Sequence, residues 1–180
     1  MKARFSITNL LIIISIIFTF ISFQNQEILN FGLNDYFLSQ NDYLRFFIQI
    51  CFYSFLHGGI MHLVFNSLFI YIFGNQVEEI IGGKLFLIFF ILTTLFNTIF
   101  ILLFSSGNTI GISGFCMALL SFYTLKLYEV KNTEYKGGIT AIIVNILIGF
   151  SGSISLVGHL FGAIFGGIYY LILKILKSPN

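Results

Sequence analysis

Residues 85–104 form an apolar stretch of twenty residues without a single charged side chain. As a helix, such a stretch is long enough to cross the hydrocarbon core of a bilayer, which is about 30 Å thick. Further apolar stretches occur along the whole chain. Of the 180 residues, 57% are hydrophobic and only 9% are charged, whereas a soluble domain carries about 25% charged residues. The sequence therefore predicts a polytopic membrane protein.

The apolar stretches predict an all-α bundle of six transmembrane helices that forms one membrane domain over residues 1–180. The expected spans are 7–23, 59–73, 85–104, 112–127, 139–150 and 154–173. We interpret the first as a retained span, because no convincing small-residue cleavage site follows it. Segment 24–56 mixes charges with many aromatic residues. This composition predicts an external loop that lies in the membrane interface.

The basic residues predict how this bundle is oriented. Only Arg45 falls at the external side. The other eight lysines and arginines fall at the opposite side: Lys2, Arg4, Lys84, Lys126, Lys131, Lys136, Lys174 and Lys177. Basic residues accumulate on the cytoplasmic side of membrane proteins, so both termini are expected in the cytoplasm. The net charge of +2 gives no indication of a nucleic-acid partner, and none is expected.

Two serines lie in similar glycine-rich stretches, "GISGF" at 111–115 and "GFSGS" at 149–153. Ser113 precedes Lys126 by 13 residues, which is about 20 Å along a helix. His159 precedes Lys174 by 15 residues, or about 22 Å, so it lies at nearly the same depth. Ser151 precedes Lys174 by 23 residues, or about 34 Å, and its stretch has the composition of a turn. We therefore favour Ser113 over Ser151 as a site residue.

Two polar residues of the second span reach the same depth. Asn66 and His62 precede Glu78 by 12 and 16 residues, or about 18 and 24 Å. Because they are four residues apart, they share one helix face. Small residues also allow the fourth and sixth spans to approach closely. They are Gly114 and Ala118 on the fourth span and Gly158, Gly162 and Gly166 on the sixth.

A serine beside a histidine is a possible nucleophile and general base. His62, Asn66 and the free N–H groups at the start of the fourth span are possible donors to an oxyanion. No predicted span holds a carboxylate, so such a site would be a Ser–His dyad. The alternatives are polar contacts between helices, a metal site formed by the three histidines His57, His62 and His159, and a transporter. Cys51 and Cys116 are too few for a disulfide framework or a thiolate metal site and are predicted to be small apolar fillers.

Three motifs in this order resemble the rhomboid intramembrane serine proteases in their minimal six-span bacterial form. They are "HGGIMHLVFN" at 57–66, "GISG" at 111–114 and "GHLFGAIFG" at 158–166. The resemblance implies that Ser113 is the nucleophile and His159 the base. It implies an oxyanion hole formed by His62, Asn66 and the backbone N–H of Ser113. It also implies that the protein lies in the bacterial cytoplasmic (inner) membrane.

The same resemblance gives supporting roles to further residues. Gly111 opens the serine motif, and His57 is expected to have a structural or water-organising role. Gly162 and Gly166 match helix-contact glycines. Segment 24–56 matches the membrane-embedded first loop, and the turn at 150–155 matches a mobile cap over the site. Two departures stand out: Met117 replaces a tyrosine that stacks on the base in many relatives, and the usual Trp-Arg pair before the second-span motif is absent.

These motifs predict an endopeptidase that hydrolyses peptide bonds in or beside the transmembrane helices of membrane proteins. The expected partners are transmembrane protein substrates and membrane lipid, and neither a cofactor nor a metal is expected. The alternative is an inactive rhomboid-like scaffold that binds membrane helices without cleaving them. The intact pair of Ser113 and His159 favours the enzyme. The sequence contains no signal for an oligomeric state.

Overall fold

The computed structural model describes residues 6–150 and 155–177 of the chain. These residues form an all-α bundle, as predicted, with one isolated β-bridge between Leu33 and Thr109. The helices are α1 (Ile7–Gln24), α2 (Tyr36–Ser39), α3 (Tyr43–Phe52), α4 (Ile60–Phe69), α5 (Asn75–Ile81), α6 (Gly83–Phe104), α7 (Ser113–Glu129), α8 (Tyr135–Gly149) and α9 (Leu156–Lys177).

Four of these helical segments are long and apolar enough to cross a membrane: α1, the continuous segment Ile60–Ile81, α6 and α9. The remaining two predicted spans correspond to the shorter helices α7, with 17 residues, and α8, with 15. The chain is thus an integral multi-pass membrane protein, while its six-span topology stays a prediction. Lys2, Arg4, Ser151 and most of the predicted cap at 150–155 lie outside the described residues.

The second membrane segment is longer than the span predicted at 59–73. A π-helical turn, Ile70–Gly74, joins α4 to α5 without a break, and the helix ends at Gly82 with a φ of +81°. Gly74 allows α1 to approach closely, since an added Cβ atom would lie 3.0 Å from Thr8 Cγ2. The extension places Glu78 and Glu79 on this helix, whereas no carboxylate was expected on a span.

Glu78 accounts for the buried start of α1. Its carboxylate accepts hydrogen bonds from the backbone N–H groups of Ile7 and Thr8, at 2.9 and 2.8 Å. The hydroxyl groups of Ser6 and Thr8 donate to the same carboxylate at 3.0 and 2.6 Å. The first N–H groups of a helix have no partner inside it, so this carboxylate caps α1 and ties it to α5. The capping of α1 therefore explains the position of Glu78, which lies far from Ser113.

The segment between α1 and α4 is a folded loop with short helices of its own. The buried side chain of Gln49 donates to the carbonyl of Gly32 at 2.6 Å. Leu33 exchanges two backbone hydrogen bonds with Thr109, at 2.7 and 2.9 Å. Because Thr109 lies in the connection between α6 and α7, this loop holds the chain that leads to Ser113.

Helix α7 lies at the centre of the bundle and makes its most extensive contact with α9. A Cβ atom added at Gly162 would collide with the carbonyl of Gly114, and one added at Gly166 would collide with the carbonyl of Ala118. Backbones can approach this closely only where side chains are absent. The small residues therefore fix how α9 lies along α7, and with it the position of His159.

Candidate active site

Ser113 is the first residue of α7 and is partly buried. The turn before it depends on Gly111, which has a φ of +111°, a conformation that favours glycine. The N–H of Gly111 donates to the carbonyl of Tyr53 at 3.0 Å, which anchors this turn to the loop before α4. The N–H of Ser113 belongs to the first turn of the helix, where no partner exists within the helix. It is thus available to a ligand beside the Ser113 hydroxyl.

His159 lies near the start of α9 and is only 4% exposed. Its Nδ1 lies 3.1 Å from the backbone carbonyl of Asn145 on α8. A carbonyl only accepts hydrogen bonds, so Nδ1 must carry the proton and donate it. The neutral ring then has its lone pair on Nε2. Nε2 is buried and has no hydrogen-bond partner among the described residues.

The residues that flank Ser113 and His159 meet at the contact of α7 with α9. A Cβ atom added at Gly114 would lie 3.2 Å from the carbonyl oxygen of Gly158. Gly114 and Gly158 also line one small cavity together with Ser113. The structure therefore brings the start of α7 and the start of α9 to one level. Between Ser113 and His159 themselves, the described atoms form no hydrogen bond.

His62 and Asn66 lie on α4 and face the turn that precedes Ser113. A Cβ atom at Gly111 would lie 2.8 Å from His62 Cε1 and 3.6 Å from Asn66 Nδ2. Asn66 is buried, and its Nδ2 has no partner among the described residues. The thiol of Cys116 lies 3.8 Å from both the Oδ1 and the backbone carbonyl of Asn66, and neither contact uses the amide N–H groups. The amide of Asn66 is thus a free donor beside the start of α7.

His57 is fully buried and makes contacts with other helices. Its Nδ1 lies 3.3 Å from the carbonyl of Phe55 and 3.0 Å from the hydroxyl of Thr19 on α1. Its ring packs edge-on against His62, with 4.9 Å between the ring centroids. His57 therefore links α1 to the ring of His62. Met117 is buried one turn after Ser113 and is 2% exposed.

Three residues of the site region were not predicted to belong to the site. Asn97 on α6 is buried, lines the cavity beside Ser113 and has an unpaired Oδ1 within the described structure. The depth argument could have found it, since it follows Lys84 by 13 residues, or about 20 Å. Cys116 was predicted to be an apolar filler but also contacts Asn66. Asn145 contributes a backbone carbonyl, for which the sequence carries no signal.

The polar groups around Ser113 are suited to proton transfer and to stabilising negative charge. They comprise one hydroxyl, one imidazole whose Nε2 has no partner within the described part of the chain, and the amide donors of Asn66 and Ser113. Within 6–150 and 155–177, no group of three His, Cys, Asp or Glu side chains is arranged to hold a metal ion. Such a set of groups matches the requirements of acyl transfer by a serine nucleophile.

Two comparisons with known proteins bear on this site. The family model of the Rhomboid domain matches residues 44–175, a range that contains all three motifs. The rhomboid protease GluP of Bacillus subtilis (strain 168) is 32% identical to the chain over 119 residues. That match covers 63% of this chain and 23% of the relative, so the chain spans about a quarter of the relative's length.

Proposed function

This chain belongs to the rhomboid family, and on that premise we propose that it is an intramembrane serine endopeptidase. Its substrates are membrane proteins, and it cleaves peptide bonds in or beside their transmembrane helices. Ser113 is the nucleophile and His159 the general base. The protein resides in the bacterial cytoplasmic membrane with both termini in the cytoplasm.

The environment of the His159 ring carries this proposal. The carbonyl of Asn145 accepts the Nδ1 proton at 3.1 Å, and Nε2 is buried without a partner among the described residues. In a triad, a buried carboxylate selects the tautomer and orientation of the histidine. Here a backbone carbonyl performs the same selection. The dyad therefore needs no acid near the ring.

The catalytic cycle follows from these positions. Nε2 of His159 takes the proton of the Ser113 hydroxyl as the oxygen attacks the substrate carbonyl. The backbone N–H of Ser113, the amide of Asn66 and the ring of His62 stabilise the oxyanion of the tetrahedral intermediate. His159 then returns its proton to the leaving amine, and an acyl-enzyme remains on Ser113. Water, deprotonated by the same Nε2, then attacks this ester. Nε2 passes that proton to the Ser113 oxygen as the acyl group leaves as a carboxylic acid, which restores the serine hydroxyl.

Burial in the membrane constrains the substrate. A peptide bond inside a transmembrane helix has its N–H and C=O groups satisfied within that helix. Its carbonyl reaches Ser113 only when the substrate helix unwinds locally. We therefore expect cleavage near the external end of the substrate helix, at small or helix-breaking residues. Substrate enters sideways from the lipid, and water enters from the external face.

Cleavage of a reporter transmembrane substrate in liposomes tests the proposal. Ser113→Ala and His159→Ala should each lower the cleavage rate by at least about 1,000-fold, because the nucleophile and the base act together and neither works without the other. A serine-directed fluorophosphonate should label the wild type but not Ser113→Ala. The matched control is Ser121→Ala, two turns further along α7 and partly buried like Ser113, which should retain wild-type cleavage.

Two outcomes would overturn this mechanism. Cleavage that survives Ser113→Ala would exclude Ser113 as the nucleophile, and loss of cleavage in a folded Ser151→Ala variant would favour the other glycine–serine stretch. A folded wild-type protein that neither cleaves nor reacts with the fluorophosphonate would instead be the inactive helix-binding scaffold.

A further inference from the structure

A second cavity lies at the opposite end of the bundle from Ser113. Its volume is about 290 Å³, and it opens between the ends of α5, α7 and α9. Ile81, Phe122 and Leu173 form a buried apolar floor. Ser113 begins α7, and the lining residues Phe122 and Glu129 follow it by 9 and 16 residues, so about 14 to 24 Å of helix separates them from the candidate active site. The catalytic mechanism does not use it.

Three lysines line this cavity, together with one acidic residue. They are Lys126, Lys174 and Lys177. The carboxylate of Glu129 pairs with Lys126 at 2.6 Å and with Lys174 at 3.4 Å. These pairs hold two ammonium groups at the rim of the cavity. Three cations and one anion leave the rim with an excess of two positive charges.

A buried hydroxyl adds an independent indication of a ligand. Tyr170 lines the same cavity and is 7% exposed, and its hydroxyl has no hydrogen-bond partner among the described residues. The Glu129 carboxylate lies beside this hydroxyl. Buried hydroxyl groups nearly always have a partner. A ligand with acceptor oxygens in the cavity would provide one.

We propose that this cavity binds the phosphate headgroup of an anionic phospholipid. The lipid would belong to the leaflet at the lysine-rich end of the bundle. Lysine ammonium groups and the Tyr170 hydroxyl are donors for phosphate oxygens. Basic cavities between helices at the cytoplasmic membrane surface suit such headgroups. The apolar floor favours a lipid over a free phosphate ion. Ile175 and Leu176, 72% and 76% exposed on α9, supply an apolar surface for the acyl chains.

Native mass spectrometry of the full-length protein in detergent, titrated with phosphatidylglycerol or phosphatidylcholine, tests this site. A lysine close to an anionic lipid contributes roughly a five-fold gain in affinity. The double variant Lys126→Gln, Lys174→Gln should therefore bind phosphatidylglycerol about 25-fold more weakly. Tyr170→Phe should also weaken phosphatidylglycerol binding, because it removes only the hydroxyl group. Phosphatidylcholine binding should change in neither variant.

The matched control is the double variant Lys131→Gln, Lys136→Gln. These lysines are exposed at the same end of the bundle but do not line the cavity. The control removes the same charge, so it should bind phosphatidylglycerol like the wild type. Equal losses in both double variants would overturn the proposal in favour of general attraction to the membrane surface. Competition by inorganic phosphate or glycerol 3-phosphate at the lipid's own concentration would overturn it in favour of a free-anion site.

Discussion

Two asparagines lie beside the proposed dyad of Ser113 and His159, and they contribute in different ways. Asn145 acts through its backbone carbonyl, which fixes the proton of His159 on Nδ1. Asn66 acts through its side chain, whose Nδ2 has no partner among the described residues. In the proposed mechanism, the first therefore orients the base, and the second supplies a donor for the oxyanion.

Replacing Asn66 by alanine should separate transition-state stabilisation from substrate binding. We expect kcat to fall by about 100- to 1,000-fold, as for loss of one oxyanion-hole donor, with little change in KM. The measurement is steady-state cleavage of a reporter substrate in liposomes. Asn75→Ala is the matched control, because its Nδ2 already donates to the carbonyl of Tyr71 on the same membrane segment. An unchanged kcat in Asn66→Ala would remove Asn66 from the oxyanion hole.

Among the helix pairs, α7 and α9 carry Ser113 and His159, so their contact determines whether the proposed dyad can form. Neither helix has large side chains at the crossing, since Gly162 lies against Gly114 and Gly166 lies against Ala118. A bilayer provides no hydrophobic force that drives helices together, so close packing must hold them. Any added volume at this crossing moves His159 relative to Ser113.

Gly162→Ala should therefore impair both stability and activity. The added methyl group collides with the carbonyl of Gly114, and overpacking of this kind costs about 1–3 kcal/mol. Thermal unfolding in detergent and reporter cleavage measure the two effects. Gly167→Ala is the matched control on the same helix, because its Cβ would lie 3.7 Å from Leu125 Cδ1, an ordinary contact. Equal stability and activity in the two variants would mean that this crossing does not set the site geometry.

The all-α character and the long apolar helices could be predicted because hydropathy is a local property of the sequence. Helix α7 begins at Ser113, one residue after the start of the span predicted at 112–127. The continuation of the second membrane segment to Ile81 could not be predicted, because a π-helical turn continues the helix past Gly74. The partner of His159 could not be predicted either. Every residue has a backbone carbonyl, so the residue type does not reveal which one contacts the ring. The position of this carbonyl depends on how α8 packs against α9.

At the scale of the whole molecule, the two ends of the bundle differ in chemistry. The end at the start of α7 holds the candidate active site and the folded loop before α4. The other end holds the lysine-lined cavity and the connection between α7 and α8. If basic residues mark the cytoplasm, the dyad opens toward the exterior and the cavity toward the inner leaflet. The proposed protease and the proposed lipid site would then face opposite sides of one membrane.

Cysteine labelling of intact bacterial spheroplasts tests this orientation. Gly107 and Gly137 are both exposed, no atom lies within 4 Å of a Cβ added at either, and they lie at opposite ends of the bundle. In a Cys51→Ser background, an impermeant maleimide should label Gly107→Cys directly and Gly137→Cys only after permeabilisation. Native Cys116 is buried and serves as the unlabelled reference. The reverse pattern would place the lysine-rich end outside and the dyad toward the cytoplasm, against the distribution of basic residues.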